Sequence, residues 1–491
     1  MQTVIRRLRQ VLAEVLRFDA AEQGTALLYL GRWVLIGTVV GALAGTASAV
    51  FLYGLALATD AREANVWLLF LLPLGGLAMG VTYATVGGRA RLGNNLVVGA
   101  LHEDPETAGP IQHLPLRMAP LVLVGTWITH LFGGSAGREG TAIQMGASLS
   151  DAVARTFRMD AAQRRVVLIA GVAGGFGSVF SVPLAGAVFA LEVQSLGRLR
   201  HDAIFPALTA SITGNVVFHL WDLPHDVTPS PDLGVIALEP GTLVGIALAA
   251  VAFGLVSALF VELTFGLREL VNRFVPRSWL RPFVGGFAVV GLVLALGWPG
   301  SQVYLGLSLP LIAQSFETGD VVAYAFLAKL VLTAVTLASG YQGGEVTPLF
   351  VIGATLGAVL GGVLGPLLGG PVELYVSAGF IAVFAGATNT PLACTIMGIE
   401  LFGAGALPYL ALASVVAYVC SLHRGIYETQ RVGTPKLPGP ILPDHTTVLD
   451  EQRRRRTWLR TAETQQDGPS QPADVEPDHD VEPDHDGPDP R

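Results

Sequence analysis

Long apolar segments follow one another through most of this chain, with short polar breaks between them. The clearest segments span 26–58, 66–87, 116–134, 166–194, 234–268, 281–299, 321–338, 348–370 and 373–421. A helix needs about 20 apolar residues to cross a hydrocarbon layer of about 30 Å. Several segments are that long, so the pattern predicts an all-α protein that passes through a membrane many times.

Other apolar segments are too short to cross a membrane, or glycine and proline interrupt them. Examples are 141–150, 203–218 and the segments around Pro183 and Pro391. Broken helices are tolerated at membrane depth only where they are buried in protein or line a water-filled cavity. We therefore expect tilted and partial helices around a transport site, and not a simple membrane anchor.

The chain repeats itself at a nearly constant shift. The matching pairs are Gly146–Leu149 with Gly353–Leu356, Pro183–Ala185 with Pro391–Ala393, Gly171 with Gly379, Phe176 with Phe384, and Glu192 with Glu400. These matches predict two homologous halves, roughly 25–225 and 235–430, with a transport site at their interface near the middle of the membrane. The residues alone leave open whether the halves run parallel or inverted.

Composition supports a membrane protein and excludes several other classes. The chain is 51% hydrophobic and only 14% charged, against about 25% charged residues in soluble proteins. A soluble enzyme, a disordered protein and a disulfide scaffold are therefore excluded. Both cysteines, Cys394 and Cys420, lie in apolar segments and are expected to be small buried hydrophobes.

The two ends of the chain differ from its centre. Residues 1–24 interleave arginine with apolar residues and predict an amphipathic helix on the cytoplasmic surface. Residues 431–491 are acidic and proline-rich, and we expect a disordered cytoplasmic tail. The arginines near the N-terminus and at Arg453–Arg456 place both termini in the cytoplasm by the positive-inside rule.

Three glycine-rich polar motifs interrupt the apolar pattern, at Gly93–Val97, Gly137–Thr141 and Gly340–Pro348. Each precedes an apolar stretch that is suited to a helix. A glycine-rich turn that leads into a helix leaves free backbone N–H groups at the positive end of the helix dipole. Such ends bind anions. Three of them meeting at midplane would hold an anion weakly enough for it to leave again.

Two acidic residues and one tyrosine accompany these motifs. Glu139 and Glu345 lie in apolar surroundings, where an ionisable residue is costly and therefore a functional candidate. A carboxylate at an anion site can occupy the site, or take a proton and yield to the anion. The alternative for Glu139 is an ion pair with Arg138. Tyr427 follows the last apolar segment, and its spacing alone favours an interfacial tyrosine over an ion-binding one.

Taken together, these residues resemble the CLC family of chloride channels and anion/proton antiporters over roughly 25–430. The resemblance is carried by the Gly-Arg-Glu-Gly motif at 137–140, the glycine-rich motifs around it, the paired proline-containing segments and the terminal Arg424-Gly425-Ile426-Tyr427. It implies a homodimer of subunits that each have an ion path and two inverted halves. It also implies that Glu139 is the gating, proton-accepting glutamate and Tyr427 the central tyrosine.

Within that family, the chain is similar to the fluoride-transporting branch. That branch has Gly-Asn-Asn-Leu, Gly-Arg-Glu-Gly-Thr and Gly-Gly-Glu-Val-Thr-Pro at the three motifs, as this chain does. Most chloride-handling members carry serine at the position of Asn94, and chloride/proton antiporters carry an internal proton glutamate at the position of Val193. The branch implies a coupling role for Glu345. The implied anion-binding residues are Asn94, Asn95, Gly137, Arg138, Gly140, Thr141, Val346, Thr347 and Tyr427.

The resulting expectation is a multi-pass cell-membrane antiporter that exports fluoride in exchange for protons. Asn94 and Thr347 add hydrogen-bond donors for a small, strongly hydrated anion. A chloride/proton antiporter or chloride channel of the same family is the alternative. A membrane-embedded enzyme would need a nucleophile–base pair or a metal cluster, and His130 stands alone in its segment. We expect no enzymatic activity, cofactor, metal or nucleic-acid partner. Lys329 is expected to reach a membrane interface or pair with an acid.

Overall fold

The computed structural model describes residues 20–102, 111–437, 443 and 446–454. In chain order the α-helices are α1 Ala20–Ala64, α2 Leu72–Thr82, α3 Asn94–Ala100, α4 Met118–Leu131, α5 Glu139–Thr156, α6 Ala161–Phe180, α7 Pro183–Glu192, α8 Ile204–Leu220, α9 Pro240–Phe274, α10 Arg281–Ala295, α11 Leu309–Glu317, α12 Ala325–Ala338, α13 Val346–Leu368, α14 Val372–Thr388, α15 Pro391–Phe402 and α16 Leu407–Cys420. Short 3₁₀ or π turns occupy Val66–Leu71, Tyr83–Gly87, Gly88–Leu92, His201–Ala203, Ser278–Leu280, Gly300–Tyr304 and Ala404–Ala406. The strands are β1 Ser195–Leu196 and β2 Arg431–Val432.

The polytopic all-α fold predicted from the hydrophobic pattern is confirmed. Among the described residues, six helical stretches are long and apolar enough to cross a membrane: Gln23–Ala64, Val66–Ala100, His201–Leu220, Pro240–Phe274, Ser278–Ala295 and Val346–Leu368. The expected partial helices accompany them. The apolar segment 373–421, for example, forms α14, α15 and α16, which are separated at Asn389, with a φ of 62°, and at Gly403, with a φ of 86°.

The internal repeat appears as two sets of equivalent helices. Helices α4 to α7 of the first half correspond in order to α12 to α15 of the second. Helices α7 and α15 run antiparallel, because the acid at the C-terminal end of each caps the N-terminus of the other. Glu192 accepts hydrogen bonds from the backbone N–H groups of Leu392 (3.1 Å) and Ala393 (2.8 Å). The halves are therefore inverted and not parallel.

Glu400 makes the equivalent contacts in the other direction. Its carboxylate accepts hydrogen bonds from the N–H groups of Leu184 (2.9 Å) and Ala185 (2.7 Å) at the start of α7. Each half therefore supplies the cap that the other half needs. The first N–H groups of a helix lack partners within that helix, so this exchange satisfies donors that the membrane leaves without water.

Glycine pairs hold the helices of each half in close contact. A Cβ on Gly146 of α5 would lie 2.2 Å from the carbonyl oxygen of Gly171 on α6. The equivalent pair in the second half, Gly353 and Gly379, has a corresponding distance of 2.0 Å. Only glycine permits backbones to approach this closely, as small residues do between membrane helices in general. The two helices that begin at the glycine-rich motifs are thereby fixed against their neighbours.

The residues after the last helix form a folded segment, so the predicted start of a disordered tail at residue 431 is wrong. Strand β2 pairs in parallel with β1, which lies between α7 and α8. Val448 and Glu451 are buried. We call residues 431–437 and 446–454 the C-terminal clasp. The acidic composition that suggested disorder belongs to the tail beyond residue 454, which lies outside the described residues, as do Arg455, Arg456 and residues 1–19.

Lys329 does not reach an interface, and its ammonium bonds to neutral groups. It is fully buried on α12. Its Nζ donates hydrogen bonds to the carbonyl oxygens of Tyr304 (3.2 Å) and Gly306 (2.7 Å) and to the hydroxyl of Ser308 (2.9 Å). Three neutral acceptors satisfy the ammonium, so the prediction of an acidic partner or an interfacial position is wrong.

Candidate anion site

The three glycine-rich motifs meet at one place. Gly137 and Gly344 form an antiparallel bridge, with N–H to carbonyl distances of 2.6 and 2.8 Å. A Cβ on Gly140 would lie 2.7 Å from the amide nitrogen of Asn94 and 3.0 Å from the Cα of Gly344. The starts of α3, α5 and α13 are therefore in direct contact, as the motif pattern predicts.

The Glu139 carboxylate lies at the N-terminus of α13. Glu139 is the first residue of α5 and is fully buried. Its Oε2 accepts hydrogen bonds from the backbone N–H groups of Thr347 (3.0 Å) and Arg138 (3.1 Å), and its Oε1 accepts one from the Thr347 hydroxyl. The first turn of a 23-residue helix is a favourable position for an anion. The carboxylate therefore fills a position at the start of α13 that suits an anion.

A glycine makes this arrangement possible. A Cβ at residue 137 would lie 2.8 Å from Oε2 of Glu139 and 2.9 Å from the carbonyl oxygen of Gly344. Any larger residue would displace either the carboxylate or the bridge between the two halves. Gly137 therefore contributes space and backbone contacts to the site.

Arg138 contacts the carboxylate at longer range. Its Nε lies 3.6 Å from Oε1 of Glu139, so the alternative of a neighbouring ion pair is present beside the hydrogen bonds to Thr347. The rest of the guanidinium is directed elsewhere. It donates to the carbonyl oxygen of Asp226 (2.7 Å) and the hydroxyl of Thr228 (2.8 Å). These bonds connect the site to residues 221–239, which join the two halves.

Two of the predicted anion-binding residues direct their side chains away from the carboxylate. The Thr141 hydroxyl lies 2.7 Å from that of Thr126 on α4. Thr126 donates its own proton to the carbonyl oxygen of Val122, so Thr141 must donate to Thr126. The Asn95 amide donates to Glu428 (3.4 Å). The sequence gives residue types at these positions, but side-chain direction depends on neighbours that are distant in sequence. Val346 is buried and offers only its backbone.

Glu345 lines an open cleft beside the carboxylate site. It precedes α13 and is half-buried, and its buried Oε2 has no hydrogen-bond partner among the described residues. The cleft has a volume of about 390 Å³. Its polar lining includes Asn94, Asn95, Gln144, Arg268, Glu345 and Glu428. The buried side-chain oxygens of Asn94, Asn95 and Gln144 also lack partners within the described part of the chain. Unpartnered buried polar atoms are rare in proteins, and the four on Asn94, Asn95, Gln144 and Glu345 line this one cleft.

Tyr427 is buried, so the interpretation of an interfacial tyrosine is wrong. Only 3% of its surface is exposed, and its hydroxyl has no hydrogen-bond partner within the described residues. It lies within electrostatic reach of both Glu139 and Glu345. A small second cavity beside it is lined by apolar side chains, including Val193. Val193 therefore lies in apolar surroundings.

Sequence reasoning did not single out Gln144, Arg268 and Glu428 in the cleft. A weak signal existed for each of them. Gln144 is a polar residue in the apolar stretch 141–150, Arg268 ends an apolar segment, and Glu428 directly follows Tyr427. Each of these patterns is also typical of an ordinary helix end or loop, so only the three-dimensional arrangement distinguishes them.

Residues Gly133–Gly137 also fit the Gly-x-Ser-x-Gly spacing of serine hydrolases, but the geometry is wrong for that chemistry. The Ser135 hydroxyl is buried and lies 2.8 Å from the hydroxyl of Thr333. The His130 imidazole contacts the carbonyl oxygens of Thr126 and Ala136. Ser135 and His130 therefore do not form a nucleophile–base pair with each other.

Comparison with known proteins gives a consistent family relationship. The family model for "voltage gated chloride channel" matches residues 75–422. A chloride/fluoride channel protein of Pseudomonas syringae pv. tomato is 42% identical over 437 residues, which cover 88% of this chain and 94% of that protein. An H(+)/Cl(−) exchange transporter of Salmonella agona is 28% identical over 261 residues, covering 51% of this chain and 54% of the relative.

Solved structures agree with these relatives. The crystal structure of a CLC-type fluoride/proton antiporter matches with a TM-score of 0.76 and 34% identity, covering 82% of this chain and 98% of that chain. A slow cyanobacterial Cl⁻/H⁺ antiporter has the same fold, with a TM-score of 0.68 and 20% identity over 79% of this chain and 94% of that one. The matched span, the inverted halves and the three converging motifs lead to one conclusion: this chain belongs to the CLC family of ion channels and transporters.

Proposed function

We propose that the protein is a fluoride/proton antiporter that exports fluoride from the cytoplasm. The observation that carries the proposal is the Glu139 carboxylate at the first turn of α13, bound to the N–H and hydroxyl of Thr347. The same donors would bind a fluoride ion. Carboxylate and anion therefore compete for one position, and protonation of Glu139 decides which of them occupies it.

The proposed cycle follows from that competition. As a carboxylate, Glu139 holds the α13 position. When Glu139 takes a proton it loses its charge and its preference for the positive end of the helix, and an anion entering from the cleft takes its place. Return of the carboxylate expels the anion and releases the proton. Glu345, which lines the cleft and has one unpartnered oxygen, is the proposed coupling acid.

Fluoride is proposed over chloride for chemical reasons and because of the relatives. Fluoride is small and a strong acceptor, so its site must replace much of its hydration with donors. Thr347 offers a hydroxyl and Asn94 an amide at the meeting point of the motifs. One relative is named a chloride/fluoride channel protein, and one structural neighbour is a fluoride/proton antiporter. These names support the proposal without extending to this chain's measured selectivity.

The distribution of basic residues supports a cytoplasmic position for the clasp. Helix α8 separates β1, which pairs with the clasp, from residues 221–239. Residues 221–239 contain no lysine or arginine, and neither do residues 296–324. On the clasp side, the connection between α5 and α6 and the adjoining helix turns are rich in arginine, with Arg155, Arg158 and Arg165. By the positive-inside rule the clasp and both termini face the cytoplasm. We also propose the homodimer that the family resemblance implies.

The test uses purified protein in liposomes that are loaded with fluoride. Fluoride efflux should be accompanied by acidification of the lumen, and Glu139→Gln should abolish proton movement. Glu269→Gln, an exposed acid on α9, is the matched control and should leave both fluxes unchanged. Fluoride efflux with no response of luminal pH would refute the antiport mechanism.

The 28% identity to an H(+)/Cl(−) exchange transporter makes chloride/proton exchange the second candidate. It predicts a chloride flux comparable to the fluoride flux in the same liposomes, and little effect of Asn94→Ser. A fluoride flux well above the chloride flux would exclude it.

A further inference from the structure

An ion pair lies in the cleft between the solvent and the motif residues. Nη1 of Arg268, on α9, lies 3.2 Å from Oε1 of Glu428, which directly follows Tyr427. The side chains are 35% and 28% exposed. An ion pair with that much solvent contact contributes little to folding. Its position in the transport cleft therefore requires another explanation.

The pair adjoins the residues that meet at the anion site. The second carboxylate oxygen of Glu428 accepts a hydrogen bond from the amide of Asn95 (3.4 Å), and the Thr429 hydroxyl donates to the backbone carbonyl of Asn95 (3.0 Å). Asn95 is the neighbour of Asn94 in the first motif. An anion that moves through the cleft toward Asn94 therefore passes the Arg268–Glu428 pair.

Two other arginines line the cleft and are bound differently. Arg91 donates from Nε to the carbonyl oxygen of Tyr83 (2.7 Å), and Arg281 donates from Nε to that of Val275 (3.0 Å). Their guanidinium groups are anchored to the backbone. Of the three cleft arginines, Arg268 is the one for which the structure gives a carboxylate partner. Its charge is therefore the one that a neighbouring acid offsets.

We propose that Arg268 collects the anion in the cleft and that Glu428 limits how strongly Arg268 holds it. This inference rests on the proposed anion transport. It adds the residue at which the anion enters the transport path. A fixed positive charge in a cleft raises the local anion concentration. Conduction also requires that the anion leave, so a partly neutralised cation is better suited than a bare one. Arg268 and Glu428 act on the anion with opposite sign.

Opposite signs give the test. In proteoliposomes at low ionic strength, initial efflux rates are measured over a range of fluoride concentrations. Arg268→Gln should raise the KM for fluoride about two- to fivefold with kcat within about twofold, the size expected for one unit charge in a solvated cleft. Glu428→Gln should lower the KM by a similar factor. Both shifts should shrink in about 0.5 M salt, because screening then acts over a few ångströms.

Two controls separate this effect from a change in net charge or folding. Arg273→Gln and Glu269→Gln make the same charge changes at exposed positions of α9 outside the cleft lining, and should leave the KM unchanged. All variants should elute as the wild type does in size-exclusion chromatography. A purely structural pair would shift the KM of both cleft variants in the same direction, or independently of salt, and either result overturns the proposal.

The outcome also distinguishes this inference from the proposed function. If the wild type moves chloride and not fluoride, the fluoride assignment fails, and the same KM comparison with chloride still decides the role of Arg268. If the wild type moves fluoride and the cleft variants keep its KM, only the present inference fails. If the wild type moves neither halide, both fail together.

Discussion

At the scale of single residues, the site depends on one side chain that satisfies two demands. Thr347 supplies both an N–H and a hydroxyl to the Glu139 carboxylate. Hydrogen bonds to charged groups contribute about 1.5–3 kcal/mol, more than bonds between neutral groups. In the proposed transport cycle, the hydroxyl serves the anion in the same way after the carboxylate leaves. It therefore stabilises both occupants of the site, and its loss should slow exchange.

The first residue-scale prediction concerns this hydroxyl. Thr347→Val keeps the size and branching of the side chain but removes the donor. We expect fluoride/proton exchange in liposomes to fall at least about tenfold, from the 1.5–3 kcal/mol of a charged hydrogen bond. Thr347→Ser restores the hydroxyl and should recover most of the rate. Exchange by Thr347→Val within twofold of the wild type would show that the backbone N–H suffices.

At this scale the sequence identifies residue types better than their directions. It singled out Glu139, Glu345 and the glycines, because an acid in an apolar segment and a glycine-rich turn are local signals. It could not give the direction of Thr141, whose hydroxyl bonds to Thr126 on another helix. Spacing alone favoured an interfacial position for Tyr427, since its burial leaves no mark in the neighbouring residues, whereas the family resemblance implied a central one.

At the scale of elements, the fold solves the problem of helices that begin or end inside a membrane. The free N–H groups at the start of α7 and α15 are satisfied by Glu400 and Glu192, each supplied by the equivalent helix of the other half. The sequence reveals the equivalence of these acids through the repeat. Their exchange becomes visible only when the two halves are placed together, because a repeat alone does not fix whether the halves are inverted.

These crossed caps yield a stability prediction. Glu400→Ala removes the acceptor for two backbone N–H groups at the start of α7. Leaving donors unsatisfied away from water costs about 1–3 kcal/mol each, so the midpoint of thermal unfolding in detergent should fall measurably. Glu400→Gln keeps one acceptor oxygen and should lose less. Glu269→Ala, at an exposed position of α9, is the control and should leave the midpoint unchanged. A midpoint for Glu400→Ala equal to that of the wild type would contradict a stabilising role.

At the scale of the whole molecule, the clasp connects the end of the chain to the first half. The residues that follow Tyr427 continue into β2, which pairs with β1. Arg431 donates to the carbonyl oxygen of His102 (2.8 Å), and the His102 imidazole lies 2.6 Å from the carbonyl oxygen of Gln194. The chain on the C-terminal side of Tyr427 is thereby held by contacts with His102 and β1, both in the first half. Composition predicted disorder for these residues. They are folded because a few specific contacts outweigh the average polarity of the segment.

His102 makes the clasp sensitive to pH. Burial, together with the nearby guanidinium of Arg431, lowers the pKa of His102 from 6.5 to about 4. The neutral imidazole therefore donates to Gln194 in the folded protein, whereas the unfolded chain takes up a proton near pH 6.5. A base whose pKa is lowered by folding contributes stability above its unfolded pKa, and loses it as the pH falls. The loss occurs between about pH 6.5 and 4, at about 1.4 kcal/mol for each pH unit.

The thermal unfolding midpoint of the wild type should fall as the pH is lowered across that range. The midpoint of His102→Gln should fall less. Glutamine keeps an N–H donor for the Gln194 carbonyl but has no proton to gain. The difference between the two midpoints, measured at several pH values in the same detergent, isolates His102 from the other titrating groups. Proteolysis of the clasp in the wild type should increase over the same pH range, since Arg431 of the clasp donates a hydrogen bond to the backbone carbonyl of His102. Equal pH slopes in the two proteins would show that the clasp is held by β2 and Val448 and that protonation of His102 does not loosen it.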